Sequence, residues 1–286
     1  MKKSVTNQEK FNSQGYLHIP KAIERETISN MLSEASNILE SNQSDDIMRT
    51  DKGVVKKLAY LYEKHSVFLE MLSHPEILGL ACQLTKFPER LVPTWEDMLI
   101  KPSNHGIPVQ IHQDLALQTV SGNVFSIGIY LHGSVDNPVY FLPGSHKMGP
   151  LTRHQIKEVW EERKNEFVPV IAEAGDLVAH NALTVHYSGA NFSHNPRYTW
   201  YLEFRDLDEL VEERTWQKDW CFGRRKILFY SIEKRKQKGL PILEFEFPDP
   251  ENVSVDLSMV NLRFPHETGE VNYDLESDFN HFIESP

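Results

Sequence analysis

Cysteine is nearly absent from this 286-residue chain, which has only Cys82 and Cys221. Two cysteines cannot build a disulfide framework, and their scarcity points to a reducing, cytoplasmic compartment. Long apolar runs are missing too. The best of them, ILGLACQL at 77–84, falls well short of the roughly 20 residues that a membrane-spanning helix needs, so no membrane association is expected. The opening MKKSVTNQEKF is basic but has no apolar centre, and it does not read as a secretory signal. Basic residues are outnumbered, 30 Lys and Arg against 41 Asp and Glu, for a net charge of −11. That balance speaks against nucleic acid held on a broad basic face. No repeat is visible, which excludes a solenoid or a propeller. The remaining composition is ordinary, and a chain of this length can bury a core without metal or disulfide staples. One residue type is plentiful: there are 13 histidines.

The chain is expected to form one domain, 1–286, with three zones. Residues 1–90 read as mostly helical. Ile28, Met31, Leu32, Ala35, Ile38 and Leu39 recur at the spacing of one helix face. A second helix should start at His74-Pro75-Glu76, with proline in its first turn. The polar segment 41–53 between them reads as a loop. From about 91 to 205 the pattern changes to short β-rich runs broken by Gly, Pro and Asn. Strands are expected near 96–100, 109–114, 123–131, 138–142, 168–172, 176–180, 183–187 and 197–204, interrupted by a helix near 154–165. Their number and spacing predict a mainly β fold, a jelly roll behind N-terminal helices. The last zone, 206–286, is variable in character. Its stretch 224–238 carries seven Lys and Arg. This reads either as a solvated helix face or as a site for an anionic substrate group. From 245 onward the tail is acidic and has few signals of either helix or strand.

The chemistry centres on His112-Gln113-Asp114. Residues two apart on a strand point to one face, so the imidazole and the carboxylate would converge. His186, at the end of LTVHY, could supply a second imidazole. Two imidazoles and one carboxylate on one face of a metal are the ligands of non-haem Fe(II) oxygenases. The triplet alone leaves a hydrogen-bonded strand histidine equally open. A rival triplet, His74-x-Glu76, sits at a helix start, where its two side chains would diverge. The surroundings of His186 add weight. Eleven residues later Arg197 opens RYTWYLEF, after a segment rich in turn formers. Alternation puts Arg197, Thr199, Tyr201 and Glu203 on a polar face and Tyr198, Trp200, Leu202 and Phe204 on a core face. A buried arginine needs an anionic partner, and its planar fork suits a carboxylate. That partner could be the distal carboxylate of 2-oxoglutarate or, in an edge salt bridge, Glu203.

These residues resemble the phytanoyl-CoA dioxygenase family of Fe(II)/2-oxoglutarate oxygenases. HQDL at 112–115 is similar to the family's first metal motif, and PGSHKMG at 143–149 to its turn after a strand. GDLVAHNALTVHYSGANFSHNPR at 175–197 resembles its distal motif, with His186, Ser188 and Arg197 matching in position. FNSQGYLHIPKAI and SHPEILGLA resemble its opening helices. The resemblance implies a double-stranded β-helix with Fe(II) on His112, Asp114 and His186. It also implies 2-oxoglutarate held by Arg197 and Ser188, an aromatic neighbour at Tyr130, and O2 as the other co-substrate. Retention of Asp114 implies the hydroxylase type, because chlorinating relatives replace that carboxylate by a small residue.

The expected activity is therefore hydroxylation of an unactivated C–H of a small organic molecule, with release of succinate and CO2. Two other classes stay open: a metal-bearing sensor on the same fold and a Zn-dependent hydrolase. Gln118 and Asn123 are candidate substrate contacts beyond the first metal motif. Trp216, Trp220 and Phe222 are read as barrel packing or as a lid. His180 is a candidate partner of the metal ligands. His146 is read as a structural hydrogen-bonder, His132 and His194 as solvated, and Cys82 as core packing. The sequence leaves substrate identity and oligomeric state open.

Overall fold

The computed structural model describes residues 5–41, 46–104, 106–114, 124–212 and 218–245. The strands in chain order are β1 (Tyr16–Ile19), β2 (Ile47–Arg49), β3 (Val55–Ala59), β4 (Leu91–Lys101), β5 (Val109–His112) and β6 (Phe125–Tyr130). They continue with β7 (Val139–Phe141), β8 (Val168–Val170), β9 (Leu177–Asn181), β10 (His186–Ser188) and β11 (Arg197–Asp206). The helices are α1 (Asn7–Gln14), α2 (Arg25–Ser41), α3 (Leu61–Lys64), α4 (Ser66–Met71), α5 (Pro75–Leu84), α6 (Arg153–Arg163), α7 (Leu207–Glu212) and α8 (Lys218–Gln237). No helix among the described residues is long and apolar enough to cross a membrane.

Two antiparallel sheets form the body. The larger runs β1-β9-β6-β11-β4-β3-β2, and the smaller runs β5-β10-β7-β8. This is the jelly roll expected from the strand spacing, although the strand expected at 183–187 is mostly a turn and begins only at His186. Alternation along β11 divides its residues between two environments. Trp200, Leu202 and Phe204 are fully buried in the main core, against Met31, Phe68 and Leu72 of the helical layer and its turns. Arg197, Thr199 and Glu203 are also buried, but they lie on the opposite face, toward the smaller sheet. A smaller apolar cluster between the sheets contains Tyr16, Tyr130, Val139, Phe141 and Val178.

α2 buries Ile28, Met31 and Ala35, three of the six positions read as its core face. α5 starts at Pro75, and the His74 ring caps it by accepting from the Glu76 N–H at 3.3 Å. The imidazole is turned to the backbone and to Glu24, so the rival triplet does not form a site.

Two further sequence expectations need correction. The first zone is not simply helical, because it contributes β1, β2 and β3 to the larger sheet. β2 and β3 pair as a hairpin inside and just after the supposed loop. These strands are three to five residues long, too short for periodicity to register. β1 also finds its partner, β9, some 160 residues away.

The second correction concerns the basic stretch, which is solvated only in part: Lys236 and Lys238 are exposed, but its arginines are not. Arg224, Arg225 and Arg235 are buried, with Ile227 and Leu228 between them in the core. Their guanidinium groups donate to main-chain carbonyls: Arg224 to Pro93, Arg225 to Glu89, and Arg235 to Pro241 and Glu70. Long arginine stems carry charge to backbone acceptors inside the fold, a use that a charge count cannot reveal. Trp220 is buried beside Val92, Leu207 and Leu210, and Phe222 packs partly against that cluster. Both therefore pack on the barrel; Trp216 and the tail beyond Phe245 lie outside the described residues.

Candidate metal centre

β5 and β10 are neighbours in the smaller sheet, and His112 and His186 are directly paired across them. Cross-strand partners share a face, and the two imidazole centroids are 4.2 Å apart. Asp114 follows β5 on the same side, with its Oδ1 3.0 Å from His112 Nε2 and 3.7 Å from His186 Nε2. One ligand atom from each of the three lies within 4.8 Å of the others. Gln113, between the first two, turns the opposite way. It donates to Gly149 and Leu183 carbonyls and accepts from the Leu151 N–H, which anchors the end of the strand.

The chemistry of this donor set fits a divalent cation. Both histidines direct Nδ1 at a main-chain carbonyl two residues back, His112 to Gln110 at 2.7 Å and His186 to Thr184 at 2.9 Å. Such contacts fix the ring orientation and leave Nε2 for a metal. Burial, then the His112 charge, pulls the His186 imidazole down to about 3 against the opposing effect of Asp114, so it stays neutral. Burial would raise the Asp114 carboxyl, but His186, His112 and His180 together hold it well below the usual range. Burial lowers the affinity of His112 for a proton, yet Asp114 beside it outweighs this and raises it. A cation entering here would displace the proton shared by that pair.

His180 completes the centre. From β9 on the larger sheet its Nε2 lies 2.6 Å from Asp114 Oδ2, the oxygen turned away from the two paired histidines. It therefore holds the carboxylate in place, as its sequence position suggested. His146 bonds the Asn12 carbonyl at 3.2 Å as a structural residue, and His194 is exposed. His132, read as solvated, is instead half-buried against Tyr198. It follows β6 by two residues, which brings the ring against Tyr198 of β11.

Deeper in the barrel lies a cationic pocket. Arg197 is 2% exposed and makes no ion pair with Glu203, which instead accepts from Thr94 and Arg205. Its Nη1 donates to the Asn137 carbonyl at 2.6 Å, while Nε and Nη2 have no partner. The Thr199 hydroxyl on the same face is also unpartnered. Ser188, two residues after His186, is buried here, and its Oγ accepts from Lys101 Nζ at 2.6 Å. Tyr130 and Tyr201 are close neighbours, and Tyr201 is close enough to feel both Arg197 and Asp114. Burial raises both phenols, so they remain neutral donors. Gly128 is paired across the strands with Tyr201, and a Cβ on it would come within 2.7 Å of the Tyr201 ring. Glycine there lets the ring lie across β6.

The structure thus gathers His112, Asp114 and His186 at one point and Arg197, Ser188 and Tyr130 beside it. Gln118 and Asn123 lie outside the described residues. Sequence reasoning missed Lys101 because the expected strand stopped at Ile100, one residue short. It also passed over Tyr201, whose place on the polar face of RYTWYLEF was the available signal.

A jelly roll with two histidines and a carboxylate at adjacent strand ends, next to a buried cationic pocket, is the architecture of the Fe(II)/2-oxoglutarate oxygenase class. The family model for phytanoyl-CoA dioxygenase matches residues 11–199, and the chain belongs to that family. Among solved structures, the chain is similar to the non-haem α-ketoglutarate-dependent carbocyclase SnoK from nogalamycin biosynthesis. The identity is 25% and the TM-score 0.61, over 72% of this chain and 85% of SnoK. EctD from S. alaskensis, solved with 2-oxoglutarate and 5-hydroxyectoine, is 16% identical with a TM-score of 0.61, over 70% of this chain and 75% of EctD. EvdMO1 is 24% identical with a TM-score of 0.59 over 70% of this chain, which spans only 49% of EvdMO1. No curated protein sequence matches.

Proposed function

We propose that this chain, as one oxygenase domain over 1–286, uses Fe(II), 2-oxoglutarate and O2 to hydroxylate an unactivated C–H of a small organic substrate. His112, Asp114 and His186 would hold the metal, and Arg197 and Ser188 the distal carboxylate of 2-oxoglutarate. Fe(II), when bound with the 2-oxo acid and O2, supplies the oxidant for hydrogen removal, and succinate and CO2 are the co-products. The chain's own residues bind, orient and exclude water. His180 keeps Asp114 turned toward the two ligand histidines. Phe141 lies 5.5 Å from both the His180 and His186 rings and shields that side from water. Tyr130 and Tyr201 line the path between the metal ligands and Arg197.

The observation that carries this reading is the free Nε–Nη2 edge of a buried Arg197. A hydrolase with the same three ligands has no use for it, and a buried guanidinium without an anion is costly. With only two cysteines in the chain, a reducing cytoplasmic compartment is the proposed location. Retention of Asp114 speaks against chlorination, and hydroxylation is proposed as the default among the remaining outcomes; SnoK, a carbocyclase, marks ring formation as the competing outcome.

Anaerobic addition of Fe(II) should give a visible charge-transfer band that depends on 2-oxoglutarate. No band, together with tight Zn²⁺ binding and hydrolysis, would overturn the reading. Succinate formed above the uncoupled background, across a panel of small organic molecules, then identifies the substrate.

A further inference from the structure

Lys101 is the last residue of β4, and its register partner on β11 is Arg197. Two cations therefore face each other across adjacent strands, at 1% and 2% exposure. Like charges directly opposite each other destabilise a sheet, and burial compounds the cost. Among the described residues, neither forms an ion pair with a carboxylate. Burial, then Arg197, pushes the Lys101 ammonium well below its ordinary range. Its protons are directed to Ser188 Oγ and the Gly189 carbonyl, both at 2.6 Å, with the Ser188 carbonyl at 3.4 Å. In its charged form Lys101 can only donate, so Ser188 Oγ then accepts from it. The serine's own proton is then left for another acceptor, as is the Nε–Nη2 edge of Arg197.

We infer that Lys101 is a positioning residue of the co-substrate pocket. It fixes the Ser188 hydroxyl as a donor to the distal carboxylate and adds a second positive charge that selects dicarboxylic over monocarboxylic 2-oxo acids. This rests on the proposed role of Arg197 and Ser188. It adds a residue that makes its contribution through Ser188. It also explains a cation pair that would otherwise only cost stability: the fold keeps both charges because the ligand arrives with a negative one.

Lys101→Met and Lys101→Arg, each loaded with Fe(II) under anaerobic conditions, are titrated with 2-oxoglutarate and with 2-oxovalerate. The latter has the same five-carbon chain without the distal carboxylate. Lys101→Met should weaken 2-oxoglutarate by roughly 10- to 100-fold and leave 2-oxovalerate and Fe(II) affinity unchanged. Lys101→Arg should recover most of the loss. The melting temperature of metal-free Lys101→Met should be unchanged or higher, because one of two buried like charges is gone and the Gly189 carbonyl keeps its bond from Asn137. Unchanged 2-oxoglutarate affinity, an equal loss for both acids, or a chain that melts lower or does not fold would overturn the inference. Arg197→Ala separates the two levels. If that variant binds 2-oxoglutarate normally, the pocket assignment itself fails. If only the Lys101 variants do, the pocket assignment stands and the role of Lys101 falls.

Discussion

Replacing Arg197 tests the pocket most directly. Its Nη1 is committed to the Asn137 carbonyl, and the Nε–Nη2 edge is left for two parallel bonds to one carboxylate. Arg197→Ala removes both bonds from a ligand carboxylate that would then be buried without a partner. A loss of this kind costs about 2–5 kcal/mol. At about 1.4 kcal/mol per decade, the dissociation constant of 2-oxoglutarate should rise by roughly 30-fold to several thousand-fold. Arg197→Lys keeps the charge but can make only one of the two bonds, so its loss should be about tenfold. Fe(II) affinity should change little in either variant, because the guanidinium touches none of the three metal-site residues. The assay is anaerobic titration of 2-oxoglutarate into Fe(II)-loaded protein, read by the charge-transfer band, with iron stoichiometry measured in parallel. Unchanged 2-oxoglutarate affinity in Arg197→Ala, or a loss of iron as large as the loss of co-substrate, would refute the reasoning.

Other outcomes follow from neighbouring features. Asp114→Ala should lose most bound iron and all coupled succinate formation while the chain stays folded, whereas His74→Ala should keep its iron; stoichiometry for the two side by side decides between the triplets. His180→Phe should weaken Fe(II) by roughly 10- to 100-fold by freeing the Asp114 carboxylate to turn, and a variant with wild-type iron affinity would remove His180 from the centre. Glu96 is buried, and burial first, with Asp97 adding, raises its carboxyl to about 7 despite bonds from Trp200 and Tyr62 and the nearby Arg224. The folded state then keeps a proton that the unfolded state releases above its ordinary value of 4.5. Stability should therefore fall as pH rises from about 4.5 to 7, by up to ~3 kcal/mol. Glu96→Gln should flatten that slope in denaturant titrations, and an unchanged slope would assign it to other groups.

The parts of the fold that announce themselves locally were legible in the sequence. Seven of the eight β-rich runs became strands, the run 183–187 being mostly a turn that leads into β10, and the alternation in RYTWYLEF separated Trp200 from Arg197 correctly because both faces of β11 are covered. The His112-x-Asp114 spacing worked because the alternation of β5 continues past its last residue, His112, as far as Asp114. Pairings that depend on distant residues were not legible. β1 forms against β9, and nothing in YLHI encodes that partner. α8 misled because its arginines satisfy backbone carbonyls at Pro93 and Glu89, and composition cannot separate that use from solvation. Lys101 was hidden at a strand end, where boundaries are least certain.

β10 is three residues long and lies between β5 and β7, with unbroken register against β7. His186 and Ser188 stand two residues apart on it, and so roughly 6.6 Å apart along the strand axis. Under the proposed roles, one strand repeat separates the metal end of the 2-oxo acid from its distal end. The strand therefore acts as a ruler. It cannot lengthen without breaking its register against β7, so an acid one methylene longer must buckle to place both ends. Tolerance for chain length in the co-substrate is then a property of the sheet's repeat and its stiffness, independent of how wide the pocket is.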